Sequence, residues 1–138
     1  MQFLTWEIDN QLYAADINYC LEVQKDIKVV NVPHSRKYIA GIMNLRGDIV
    51  TIIDLLTFMG MTEMPEMERP VIIRLKDRFH QVGILVDKVS EVMEIPDEKI
   101  EPSEKHLSIN ETKYISHVSN SSLGFIMILN LQEFFNIK

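Results

Sequence analysis

The chain has 138 residues, 46% apolar and 25% charged, and carries a net charge of −6. Such a length holds one domain, or two very small ones sharing a core, and the balance is globular rather than disordered. An acidic charge without any basic run argues against nucleic acid and anionic lipid as partners. The single cysteine, Cys20, cannot form an internal disulfide and fits a reducing compartment.

Met1–Glu7 has no basic region followed by an apolar segment, so no signal peptide is expected. No apolar window approaches the roughly 20 residues of a membrane span. The expectation is a soluble, cytoplasmic protein. Phe3–Ile8 and Gln11–Ala15 predict a hairpin turning at Asp9-Asn10. Phe3, Thr5 and Glu7 alternate with Leu4, Trp6 and Ile8, the period of a strand with one buried face. Asp16 reads as an N-cap. Ile17, Cys20 and Leu21 fall at i, i+3 and i+4, so one or two helical turns are expected over Ile17–Val23, with a strand as the alternative. Val29–Pro33 is extended and His34–Tyr38 a polar loop.

Two apolar runs follow, Ile39–Leu45 and Ile49–Ile53, joined by Arg46-Gly47-Asp48. Gly47 accepts the positive φ of a tight turn, and the flanking Ile and Val residues predict a hairpin deep in a β structure. Asp54 is expected to cap a short helix, Leu55–Met59, which Gly60 stops. Residues 61–70 hold two prolines, three glutamates and three methionines, and read as an exposed linker between two β units. Strands are then expected at Val71–Leu75, Phe79–Val86 and Val89–Ile95, with turns at Lys76-Asp77-Arg78 and Asp87-Lys88. Pro96–Pro102 is an acidic connection and Ser103–Glu111 a polar loop. Tyr114–Ser119 pairs with Phe125–Asn130 across Asn120–Gly124, and Leu131, Phe134 and Phe135 predict a C-terminal helix. About ten short strands with little helix describe an all-β barrel or sandwich rather than a parallel α/β sheet.

Catalytic constellations are missing from this pattern. His34, His80, His106 and His117 are scattered without metal-ligand spacing, and no P-loop, dinucleotide fingerprint or nucleophile elbow occurs. Cys20, among apolar neighbours, reads as an inert thiol. Asp54 and Asp87 end β runs, where turn and cap hydrogen bonding accounts for them. No enzyme activity, metal or cofactor is therefore expected. What is left is Glu22 on the apolar segment Ile17, Cys20, Leu21, Val23, and Arg46 on the hairpin tip. An apolar centre with one or two oriented charges is the anatomy of a binding surface. The alternatives are a ligand-binding or hydrolytic barrel using Asp54, Asp87 and the histidines, and a scaffold that merely self-associates.

Several segments, in order, carry a resemblance to a known family. They are Phe3–Ile8, Tyr13–Ile17, Leu21–Val23, Tyr38–Val50 with Ile53-Asp54-Leu55, Val82–Val92 and Ile126–Phe135. The most specific reads Asn44-Leu45-Arg46-Gly47-x-Ile49-Val50-x-x-Ile53-Asp54-Leu55. With them the chain resembles the CheW family of chemotaxis coupling proteins from end to end. The resemblance implies one domain over residues 1–138, made of two small five-stranded SH3-like β-barrels sharing a hydrophobic core, with a linker near 60–70. It also implies a non-enzymatic adaptor tying chemoreceptor tips to the regulatory domain of the histidine kinase CheA, and packing with copies of itself in extended arrays. By that likeness Glu22 and Arg46 face the receptor, Ile17, Cys20, Val23 and Gly41 line the nearby apolar surface, and Asn44 and Gly47 shape the turn. Pro102–Leu107 resembles a ring-forming contact, in which His106 stands where the family often has an aromatic or apolar residue.

Overall fold

The structure, a computed structural model, describes residues 1–25, 28–61, 67, 69–122 and 124–136. Among these lie eleven strands: β1 (Gln2–Ile8), β2 (Gln11–Asp16), β3 (Cys20–Lys25), β4 (Ile39–Leu45), β5 (Asp48–Asp54), β6 (Val71–Lys76), β7 (Gln81–Val86), β8 (Lys88–Glu94), β9 (Ile100–Pro102), β10 (Ile115–Ser121) and β11 (Gly124–Leu129). Three short helices join them, α1 (Leu55–Phe58), α2 (Ile109–Thr112) and α3 (Leu131–Phe135), with 3-10 turns at Ile17–Tyr19, Asp97–Lys99 and Ser103–Lys105. No helix among the described residues is long and apolar enough to cross a membrane.

The strands form two sheets on one plan. The five-stranded sheet runs β3-β6-β7-β5-β4, antiparallel except where β5 lies parallel to β7. The six-stranded sheet runs β8-β1-β2-β11-β10, with β9 added at the edge, and is antiparallel except where β11 lies parallel to β2. The N-terminal hairpin thus completes the barrel that the C-terminal half begins. The equivalence extends to residue pairs: Gly83 lies between Arg74 and Ile52, as Ala14 lies between Thr5 and Ile128. The Asp54 amide donates to the Tyr38 carbonyl and the Asn130 amide to the Tyr114 carbonyl, both at 2.8 Å. Phe58 meets Tyr38 as Phe134 meets Tyr114, and the two phenylalanine rings touch at 5.1 Å between centroids.

Burial follows from this duplication. A shared core takes Leu4, Trp6, Ile8 and Tyr13 from one sheet and Ile53, Ile73, Leu75 and Ile84 from the other, closed by Leu55, Phe134 and Phe135 of the helices. Each barrel also keeps a private core on its other face. One contains Phe3, Leu12, Ala14, Ile126 and Ile128; the second contains Met43, Val50, Ile52 and Ile72. The central strands are consequently buried on both faces, and this corrects the expectation for β1: Thr5 is fully buried, its hydroxyl donating to the Glu91 carbonyl at 2.7 Å.

The first hairpin turns as expected, with positive φ at Asp9 and Asn10. Ile17–Val23 yields only one 3-10 turn, capped by Asp16, before β3 starts at Cys20. Pairing with β6 outweighs three local apolar matches. The central hairpin is not deep in the sheet: β4 is the edge strand and Ile49 is 66% exposed. Asp54 stands at the N-terminus of α1 without a side-chain cap bond, and burial raises its carboxyl above the ordinary range. Asp87 turns no hairpin but carries the chain between sheets, its amide donating to the Glu7 carbonyl. Ser103–Glu111 is not a loop, because Ser108 and Glu111 form a reciprocal capping box on α2. Residues 62–66 and 68 of the expected linker lie outside the described residues. The strands flanking it, β5 and β6, belong to one sheet, and the chain changes sheet at Ile17–Tyr19 and at Asp87.

Candidate functional site

At one end of the β3–β7 barrel the private apolar core gives way to charge. Arg74, in the otherwise apolar run Val71–Leu75 of β6, is only 4% exposed. A cation so buried requires partners, and its guanidinium reaches three elements. Nη1 donates to Glu22 Oε1 on β3 at 2.9 Å, Nη2 to Asp48 Oδ2 on β5 at 3.1 Å, and Nε to Gln81 Oε1 on β7 at 2.9 Å. Glu22 sits opposite Arg74 in the ladder, and the planar fork suits carboxylate geometry. The second Glu22 oxygen accepts from Gln24 Nε2 at 2.8 Å and lies 3.8 Å from Arg46 Nη2.

Arg46 crowns this cluster from outside, its side chain 78% exposed. The turn that presents it has positive φ at both Arg46 and Gly47, a pair that closes a two-residue hairpin with the twist of the strands. Asn44 Oδ1 accepts the Gly47 amide at 3.3 Å and steadies the corner. Asn44 and Gly47 therefore both act on the turn, and Arg46 adopts an uncommon backbone for a long side chain.

The remaining expected residues are placed around this end in different ways. Ile17 and Cys20 are partly buried against the shared core. Val23 is exposed and alternates along β3 with half-buried Glu22 and Gln24. Gly41 is buried behind the segment Val29–Val30, whose residue Val30 pairs with Ile42 through two 2.8 Å backbone bonds. A Cβ at position 41 would meet the Val30 carbonyl oxygen at 2.4 Å, so glycine permits this close approach. His106 is remote in sequence and environment: Nε2 lies 2.8 Å from Glu101 Oε2 and the ring stacks obliquely on Phe125. No group of three or more His, Cys, Asp or Glu side chains among the described residues could hold a metal ion.

Electrostatics follow the geometry. The Arg74 guanidinium first, then Gln24 and the Arg46 charge, hold the Glu22 carboxyl below its usual range against partial desolvation. A carboxyl depressed in the folded state contributes stability above its ordinary range, and the contribution is lost as pH falls through the depressed value. Glu22→Gln is accordingly expected to flatten the acid limb of a thermal midpoint against pH profile. An acid limb identical to wild type would contradict the pairing.

Cys20 behaves oppositely. Burial, with the Asp16 charge adding to it, pushes its thiol up to about 12, and Sγ lies 3.6 Å from the Asp16 carbonyl. Alkylation at pH 8 is expected to be at least about tenfold slower than for a free thiol, since thiolate is the reactive form. Labelling at the free-thiol rate would overturn that assignment.

Arg74, Gln81, Asp48 and Gln24 were not singled out by sequence. The available signal was one cation inside Val71-Ile72-Ile73-Arg74-Leu75, where a buried strand has no use for an unpaired charge.

Two equivalent β-barrels around a shared core, one of them closed by a charged cluster, define an all-β two-barrel domain. A family model described as CheW-like domain matches residues 2–138. The probable chemotaxis protein CheW of Rhizobium etli is 30% identical over 135 residues, spanning 98% of this chain and 87% of that protein. Chemotaxis protein CheW of Klebsiella aerogenes is 28% identical over 132 residues, spanning 96% and 80%. The crystal structure of the scaffolding protein TtCheW from Thermoanaerobacter tengcongensis matches with a TM-score of 0.86 at 28% identity, covering 99% of this chain and 93% of that one. The chain belongs to the CheW-like family.

Proposed function

We propose that this chain is a non-enzymatic chemotaxis adaptor that couples the cytoplasmic tips of chemoreceptors to the regulatory domain of the histidine kinase CheA. The observation that carries the reading is the end-to-end family match, joined to the charged end of the β3–β7 barrel where Glu22 and Arg46 meet. A receptor tip is a helical coiled coil, and an apolar surface bordered by oriented charges suits such a partner. Leu21 and Val23, which flank Glu22 in β3, and Ile49, which follows Asp48 in β5, are exposed apolar residues that such a partner could cover. The kinase regulatory domain is expected to dock barrel to barrel, and copies of the chain to join it in cytoplasmic arrays beneath membrane receptors. In this reading Ile17, Cys20 and Gly41 shape the receptor surface, and His106 belongs to the ring contact.

Co-sedimentation with a receptor signalling hairpin and with a kinase regulatory domain, separately and together, tests the proposal. It predicts binding to each and a ternary assembly containing all three. Folded protein that binds neither would overturn it.

A further inference from the structure

The duplication supplies an internal control for Arg74. The two barrels share strand order, register and the hydrogen bonds at Tyr38 and Tyr114, yet their interiors differ at one end. By register Arg74 corresponds to Thr5 and Gln81 to Leu12. Ile72, Val50 and Ile52 correspond to Phe3, Ile126 and Ile128, apolar in both barrels. The twin barrel closes the same space with a hydroxyl and a leucine, and Thr5 there is satisfied by the Glu91 backbone. The fold therefore has no need of a buried guanidinium at this position.

Buried cations are costly unless fully paired, and among the described residues the partners of Arg74 belong to the end of the barrel that carries Arg46. Glu22 comes from β3, Asp48 from the start of β5 beside the turn, and Gln81 from β7. Arg46 stands outside hydrogen-bond range of Glu22, whose nearer bonds go to Arg74 and Gln24. We propose that Arg74 is a positioning residue for the receptor-facing surface: it fixes the Glu22 carboxylate and Asp48 beside the hairpin turn, and so leaves Arg46 available to a partner. This inference rests on the receptor reading for its purpose. The hold of Arg74 on Glu22 stands apart from that reading.

Two arms separate those statements. In the first, the Glu22 side-chain carboxyl is titrated by carbon-13 NMR in the free protein. Arg74→Met is expected to raise the Glu22 titration midpoint more than Arg46→Met does, and Arg74→Lys to restore part of the difference. A larger shift from Arg46→Met would make Arg46 the holder of Glu22 and overturn the proposal. In the second arm, a receptor hairpin is titrated into the double variant Arg74→Thr with Gln81→Leu, which copies the twin barrel. Weakening of about tenfold or more is expected, the scale of one lost charge-assisted contact. Unchanged affinity in a folded variant would also overturn it. If the double variant does not fold, Arg74→Lys takes its place, with weakening expected because one ammonium nitrogen lacks the spread fork with which three guanidinium nitrogens reach three strands. Wild-type protein that binds no hairpin would instead remove the receptor reading, while the NMR arm still decides whether Arg74 holds Glu22.

Discussion

Trp6→Ala is expected to be the most destabilising single change in this protein. Trp6 is fully buried where the two sheets share their core, with its ring stacked on Tyr13 at 6.5 Å between centroids. Truncating a large buried aromatic costs about 3–5 kcal/mol, against about 5–15 kcal/mol for a typical whole domain. At this chain length that is a fall of roughly 10 °C or more in thermal midpoint. Because the shared core joins both barrels, both are expected to melt together. The Trp6 Nε1–H has no hydrogen-bond partner among the described residues, so Trp6→Phe keeps most of the packing and removes an unsatisfied donor. Circular dichroism in urea is the measurement, with Trp6→Phe well above Trp6→Ala in midpoint. Equal midpoints for Trp6→Ala and wild type would refute the shared-core assignment.

Arg46→Glu is expected to weaken receptor-hairpin binding by roughly tenfold to a hundredfold, since a hydrogen bond to a charged group contributes about 1.5–3 kcal/mol. Charge reversal beside Glu22 adds repulsion to the lost contact. The turn geometry provides a control. Arg46 has positive φ, and asparagine is favoured at the first position of such a turn. Arg46→Asn should therefore fold at least as well as wild type and still bind weakly. Calorimetric titration with the hairpin reads both variants. Binding at the wild-type level by folded Arg46→Asn and Arg46→Glu would remove Arg46 from the site.

Much of this arrangement was legible in the sequence where turn chemistry is local. Asp9-Asn10 announces a two-residue hairpin, Gly47 marks the turn expected over Arg46-Gly47-Asp48, which proves one residue shorter because Asp48 opens β5, and Leu131, Phe134 and Phe135 announce α3 on one helical face. What escaped depends on partners distant in the chain. β3 reads locally as a helical turn and becomes a strand because β6 lies beside it. β1 reads as half-buried and is covered on both faces because the hairpin it opens completes the C-terminal barrel. That arrangement was still written in the sequence as a repeat: Tyr38-Ile39 precedes Asp54-Leu55-x-x-Phe58 at the spacing by which Tyr114-Ile115 precedes Asn130-Leu131-x-x-Phe134. The same is true of the Ser108–Glu111 capping box.

The charged end divides along the same line. Glu22 and Arg46 stand out because each is a charge beside apolar residues, and the structure brings them within 3.8 Å. Arg74 stands in a run of strand residues, and only the ladder places it opposite Glu22. Its counterpart Thr5 makes the choice of arginine meaningful.

Amide chemical-shift mapping of isotope-labelled protein, titrated with an unlabelled receptor signalling hairpin, tests the central claim most directly. The account predicts the largest shifts at Glu22, Val23, Arg46 and Gly47, on β3 and the β4–β5 turn. Shifts concentrated instead at β9 and α2 around His106, or no shifts at all, would contradict it.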